Sequence, residues 1–350
     1  MSTEDYLPPL RPRAQRSSKR PSRALAIVLA AALNLAVLSG GTWALTHQQL
    51  ITDQFTVWQY EPSAVIEQYV VRSGMSDEGQ FLFYASQPEI YTNPSFNETC
   101  SNAEEDFGVL GCYFPTSSLI FLYDVTDERL DGIEEVVAAH EMLHAVWDRL
   151  STEERDLLIP LLEAEAETME DDPEFATTLE FYAKTEPGER YNELHSIVAT
   201  EFAELSPELE EHYAKYFTDR MAVVALHEKS NAVFTEQLAA SEKLVEQLDA
   251  LRLSIDTDYA TYNSGYDTLN ADIDSFNNRA DQGDFESSEQ FNQERYALIE
   301  RQNWLNALYD DIESDVATYD DLVLQLEALN TTISELNQSI NIEPRSQDGL

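Results

Sequence analysis

Val137-Ala138-Ala139-His140-Glu141-Met142-Leu143-His144-Ala145-Val146 is the stretch on which the reading of this chain turns. On a helix, residues four apart share one face, so the imidazoles of His140 and His144 can reach a single metal ion. Glu141 follows the first histidine and is placed to act on a water held at that ion. The flanks are uncharged and free of Pro and Gly, as a buried helix requires. Asp131-Gly132 marks its N-terminal boundary, and Ser151-Thr152-Glu153-Glu154 reads as a capping box opening the next helix. The competing reading is a buried helix with two core histidines. Flanks this apolar around His-Glu-x-x-His favour the metal.

The rest of the chain narrows the setting. Its 350 residues suffice for two or three units. The formal net charge is −45, and six of the 21 basic residues (Arg11, Arg13, Arg16, Lys19, Arg20, Arg23) fall within the first 23 positions. The acidic body that follows has no clustered Lys and Arg with which to neutralise phosphates, so no nucleic-acid partner is expected.

Residues 24–45 carry no charge and, as a helix of about 33 Å, would span a bilayer core. Positive charge ahead of this run predicts a single-pass signal anchor with a cytoplasmic tail at 1–23 and an extracytoplasmic body. A cleaved signal ending near Ser39-Gly40-Gly41 is the other reading and makes the protein secreted. Export agrees with the cysteines: Cys100 and Cys112, twelve apart in a polar stretch, are expected to form one local disulfide.

Along the body, Pro62 to Val71 reads as a short helix, Phe81 to Ser86 as a strand, and Leu119 to Val125 as a second strand directly ahead of the His140 helix. From Ser151 to Phe217 the pattern is helical, with breaks at Asp171-Asp172-Pro173 and Glu186-Pro187-Gly188. Residues 46–217 are therefore expected to form an α+β unit, mostly helical with a small sheet. Residues 218–341 differ: they hold no proline, and their apolar residues recur at spacings of three and four. Leu248, Leu251, Ile255, Tyr259, Tyr262, Tyr266, Leu269, Ile273 and Phe276 form one seam, and a second runs from Leu305 to Ile340. Asp281-Gln282-Gly283-Asp284-Phe285 is a turn signal between them, which predicts an antiparallel coiled-coil hairpin. A parallel coil between chains is the alternative. Residues 342–350 are a short tail. Such a hairpin is a surface for a protein partner or for self-association.

A strand followed by a His-Glu-x-x-His helix resembles the zincin metallopeptidases. That resemblance implies a zinc ion held by His140, His144 and a third ligand from a later helix, with Glu141 as general base. The segment Tyr191 to Glu204 (YNELHSIVATEFAE) supplies three candidates: Glu193, His195 and Glu201. It is similar to the third-ligand helix of Mlc titration factor A, whose pattern reads E-F-F-A-V-A-S-E. Glu193 matches the leading glutamate and Thr200-Glu201 the later pair. Leu194-His195 replaces the paired phenylalanines, and one extra residue separates the glutamates. Asn192-Glu193 also resembles the start of the thermolysin-type ligand helix. The resemblance therefore implies Zn²⁺ on His140, His144 and Glu193, a gluzincin-like set. Its expected activity is hydrolysis of a protein or peptide substrate at the membrane surface. A membrane-anchored coiled-coil scaffold with an inactive or structural zincin unit is the rival. Tyr191, His195, His212 and Tyr213 are candidates for stabilising the oxyanion.

Overall fold

In the computed structural model, the described residues are 23–100, 110–169, 175, 176, 179 and 188–340. The basic tail expected at 1–23 (all but Arg23), the Asp171-Asp172-Pro173 break, Glu186-Pro187 and the tail at 342–350 lie outside them. The chain divides into a unit of residues 1–58 and a larger one of residues 59–350.

The first unit holds helices α1 (Arg23–Thr46) and α2 (Gln48–Gln59). The expected fold class needs correction here. No helix among the described residues is long and apolar enough to cross a membrane. The first part of the run expected to span from 24 to 45 lies outside the residues whose side chains are described.

The larger unit corrects the α+β expectation in the same direction. Among the described residues helices dominate it, with one sheet whose three strands have three, four and five residues. The helices α3 (Ala64–Arg72) and α4 (Asp77–Ala85) come first, each started by a serine whose hydroxyl accepts a backbone N–H: Ser63 from Ile66 and Ser76 from Gly79. Helix α4 overturns the strand expected at Phe81 to Ser86. A six-residue apolar run has no period of its own, so the cap at Ser76 and the acidic first turn of Asp77 and Glu78 decide its conformation.

Strand β1 (Glu89–Tyr91), helix α5 (Asn93–Cys100), strand β2 (Gly111–Phe114) and strand β3 (Leu119–Tyr123) follow. The strand expected from Leu119 is thus present. The sheet order is β1-β3-β2, with β1 parallel and β2 antiparallel to β3, Cys112 opposite Phe121. The Cys100–Cys112 disulfide ties the end of α5 to β2, as expected.

Helix α6 (Ile133–Arg149) is the centre of the unit. Ala138, Ala139, Met142, Leu143, Ala145 and Val146 are all buried, and the helix packs on the sheet, on α3 and on α4. Eleven of its 17 residues are buried, the charged or polar Glu135, Glu141 and His144 among them, so little of the helix faces solvent. It is entered through Gly132, whose φ of +109° is open to glycine and strained for other residues, as the Asp131-Gly132 boundary anticipates. Helix α7 (Thr152–Thr168) starts with the capping box anticipated at Ser151 and Glu154. Helices α8 (Arg190–Glu201) and α9 (Pro207–Tyr213) complete the body.

The coiled-coil hairpin forms within the chain. Helix α10 (Met221–Gln282) ends at Gly283 in the left-handed conformation, φ +74°, and α11 (Ser288–Ser339) is capped by Ser287. Leu248, Leu269, Phe276, Leu305 and Ile312 are buried in the seam, whereas Tyr266 faces solvent. Phe276, Phe285 and Phe291 pack together at the turn. At the root, Leu336 and Ile340 pack on Leu130, just ahead of α6.

Candidate metal centre

His140 and His144 lie one turn apart on α6, their ring centroids 4.7 Å apart. Glu193 enters from the first turn of α8 and is 1% exposed. Its Oε2 is 3.6 Å from His140 Nε2, and its Oε1 is 3.5 Å from His144 Nε2. Donors bonded at about 2.0–2.1 Å around a tetrahedral ion lie roughly 3.3–3.5 Å from one another. All three donor atoms fall within 4.8 Å of one another, and among the described residues theirs is the one such group. Two neutral nitrogens and one carboxylate oxygen fit a divalent cation, which would also balance the buried Glu193 charge. His140, His144 and Glu193 can therefore hold a metal ion.

The other two ligand candidates do not join them. Glu201 ends α8, two turns beyond Glu193. His195 lies on the far side of the helix, fully buried, its Nε2 2.9 Å from His212 Nε2. Trp147 and Tyr213 flank this pair. The residues considered for the oxyanion are engaged elsewhere. Tyr213 donates to the His195 carbonyl at 2.9 Å, Tyr191 bonds Glu163, and His195 is paired with His212.

Burial and the nearby Lys215 ammonium push the His212 imidazole down to about 4. Burial, then His212, His144 and His140, hold His195 well below the usual histidine range. In the unfolded chain both return to near 6.5. Between those values the unfolded state binds more protons, so stability is lost as pH falls from about 6.5 to about 4. His212 alone contributes about 3 kcal/mol to that loss. Melting temperatures across this window should fall less steeply for His212→Gln than for the wild type. Identical slopes would rule out His212 as the titrating group.

Sequence reasoning missed two supports of the site. Asn192 Oδ1 lies 2.9 Å from His144 Nδ1, so that nitrogen carries the proton and donates, leaving Nε2 free to face Glu193. The amide end of Asn192 in turn donates to Glu189 Oε2 at 3.3 Å. Its place directly before Glu193 was the available signal. Asn192→Ala should weaken metal binding about 10–100-fold, measured by chelator competition; unaltered affinity would show that His144 holds its tautomer without it.

The second support is Gly111, on β2. A Cβ at this position would come within 2.6 Å of both Glu141 Oε1 and Val137 Cγ1. The glycine lets the strand lie directly against the Glu141 carboxylate, which is 5% exposed.

No match to this chain is found among family models, curated proteins or solved structures.

Proposed function

We propose that the protein is a zinc-dependent metallopeptidase that hydrolyses peptide bonds with Glu141 as general base. One observation carries the reading: two histidines of a His-Glu-x-x-His helix and a buried glutamate from a second helix converge on one metal-sized space. Three protein donors of this type are the set used by catalytic rather than structural zinc sites, which leave a position open. The resemblance to His-Glu-x-x-His peptidases and to the third-ligand helix of Mlc titration factor A supports the same assignment.

A bound Zn²⁺ would supply Lewis acidity toward water and the scissile carbonyl. The chain supplies the rest. Asn192 fixes the His144 tautomer. Glu141, sequestered against Gly111, accepts the proton of the attacking water and passes it to the leaving amine nitrogen. Among the described residues, strand β2 is an edge of the sheet. Its backbone can pair with an extended peptide, and that edge adjoins Glu141, which favours a peptide substrate over a small ester.

The disulfide supports an oxidising, extracytoplasmic location. The long hairpin, with Tyr296 and Trp304 more than half exposed, fits a role in gathering a protein partner or substrate. The reading is tested by metal analysis of the purified chain and an unbiased peptide-cleavage screen with and without chelator. Stoichiometric zinc and chelator-sensitive cleavage are expected. A chain that takes up zinc but cleaves nothing would leave the scaffold reading in its place.

A further inference from the structure

We propose that Arg220, at the root of the hairpin, is a positioning residue for the metal centre, fixing where α8 presents Glu193; this rests on the metal reading above. The last carbonyls of a helix have no partners within it and need donors from elsewhere. Helix α8 ends without a glycine, in the extended Phe202. Its carbonyls are taken instead by a guanidinium. Arg220 Nη1 donates to the carbonyls of Ala199 at 3.0 Å and Phe202 at 2.6 Å, and Nη2 donates to Ala203 at 2.8 Å. The two remaining N–H groups go to Glu210, from Nε at 3.2 Å and from Nη2. All five donors of the side chain are thus spent, with Arg220 only 6% exposed. A cation here also suits the negative end of the α8 dipole.

The grip is transmitted to Glu193 because α8 is short and enclosed. Every residue from Glu193 to Thr200 is buried, so the helix cannot slide or rotate locally between the grip and the ligand, about 9 Å apart at 1.5 Å per residue. The same few turns of α10 hold the other ligand helix. Leu226 packs against Gly132, where a Cβ would approach it to 2.9 Å, and Lys229 bonds Asp131 at 2.5 Å, both at the entry to α6. Val223 and Val224, fully buried, fill the space in between. The donors come from two helices, and the root of the hairpin is the splint that sets one against the other.

The test uses the full chain, with Zn²⁺ affinity measured by chelator competition and the visible spectrum of bound Co²⁺ reporting ligand geometry. Arg220→Gln should lower Zn²⁺ affinity about 10–100-fold, the usual cost of losing a residue that orients a ligand, and alter the Co²⁺ bands. Arg220→Lys, which keeps the charge and loses the planar fork, should recover part of the affinity. Arg279→Gln breaks the Arg279–Glu294 pair at the far end of the hairpin and should leave both readouts at wild-type values. Folded Arg220→Gln with wild-type affinity and spectrum overturns the positioning role. If that variant does not fold, Glu210→Gln and Arg220→Lys decide: unchanged values in both overturn it, and a loss in either supports it. A wild type that binds neither ion overturns the metal reading, and the positioning role with it.

Discussion

Glu141→Gln is expected to keep its metal and lose its activity. The substitution preserves shape at a residue that is 5% exposed, so the walls formed by Gly111 and Val137 need not move. The three donor residues are untouched, and metal stoichiometry should equal that of the wild type. What the amide cannot do is accept a proton from water. Removing a positioned general base costs typically 10²–10⁴-fold, and because Glu141 acts on the water rather than on the ground-state substrate, the loss should fall on kcat with KM little changed. Metal analysis beside steady-state peptide hydrolysis reads both halves. A Gln variant that cleaves as fast as wild type removes Glu141 from the mechanism.

Glu193→Ala should do the reverse and release the metal. It leaves two imidazole nitrogens on one helix, and α8 then contributes nothing to the ion. The loss in affinity should exceed the 10–100-fold cost of removing an outer partner such as Asn192. Glu201→Ala, at the far end of α8, should bind like wild type. Unfolding separates the contributions further. Without metal, the wild type buries the Glu193 carboxylate against two imidazoles, a costly arrangement, so the Ala variant should be about as stable as the apo wild type. Adding Zn²⁺ should raise the wild-type melting temperature by mass action and leave that of Glu193→Ala nearly unmoved. If Glu201→Ala is the variant that loses zinc, the centre has been assigned to the wrong carboxylate.

What the sequence made legible follows the range of the signal. Features written in neighbouring residues were readable: the one-turn spacing of His140 and His144, the Ser151–Glu154 capping box, the turn at Gly283, and the cysteine pair. Glu193 was found by likeness of its local segment, since an acidic helix offers many carboxylates and only tertiary packing buries this one. Phe81 to Ser86 misled because its apolar run fits strand and helix alike, and the deciding cap lay five residues upstream. Gly111 and Arg220 could not be found from sequence. Their roles exist only where β2 meets α6 and where the hairpin root meets the end of α8.

The antiparallel turn at Gly283 gives the hairpin a mechanical character. Both arms return to the body, so the turn is the free end of a lever, and the 62 residues of α10 make that lever about 93 Å long. A tilt of one degree at the root moves the tip by roughly 1.6 Å on the same geometry. Conversely, a pull at the tip arrives at the root with the torque of the whole arm. The residues that bear it there are Arg220, Leu226 and Lys229, the same side chains that hold the end of α8 and the entry to α6.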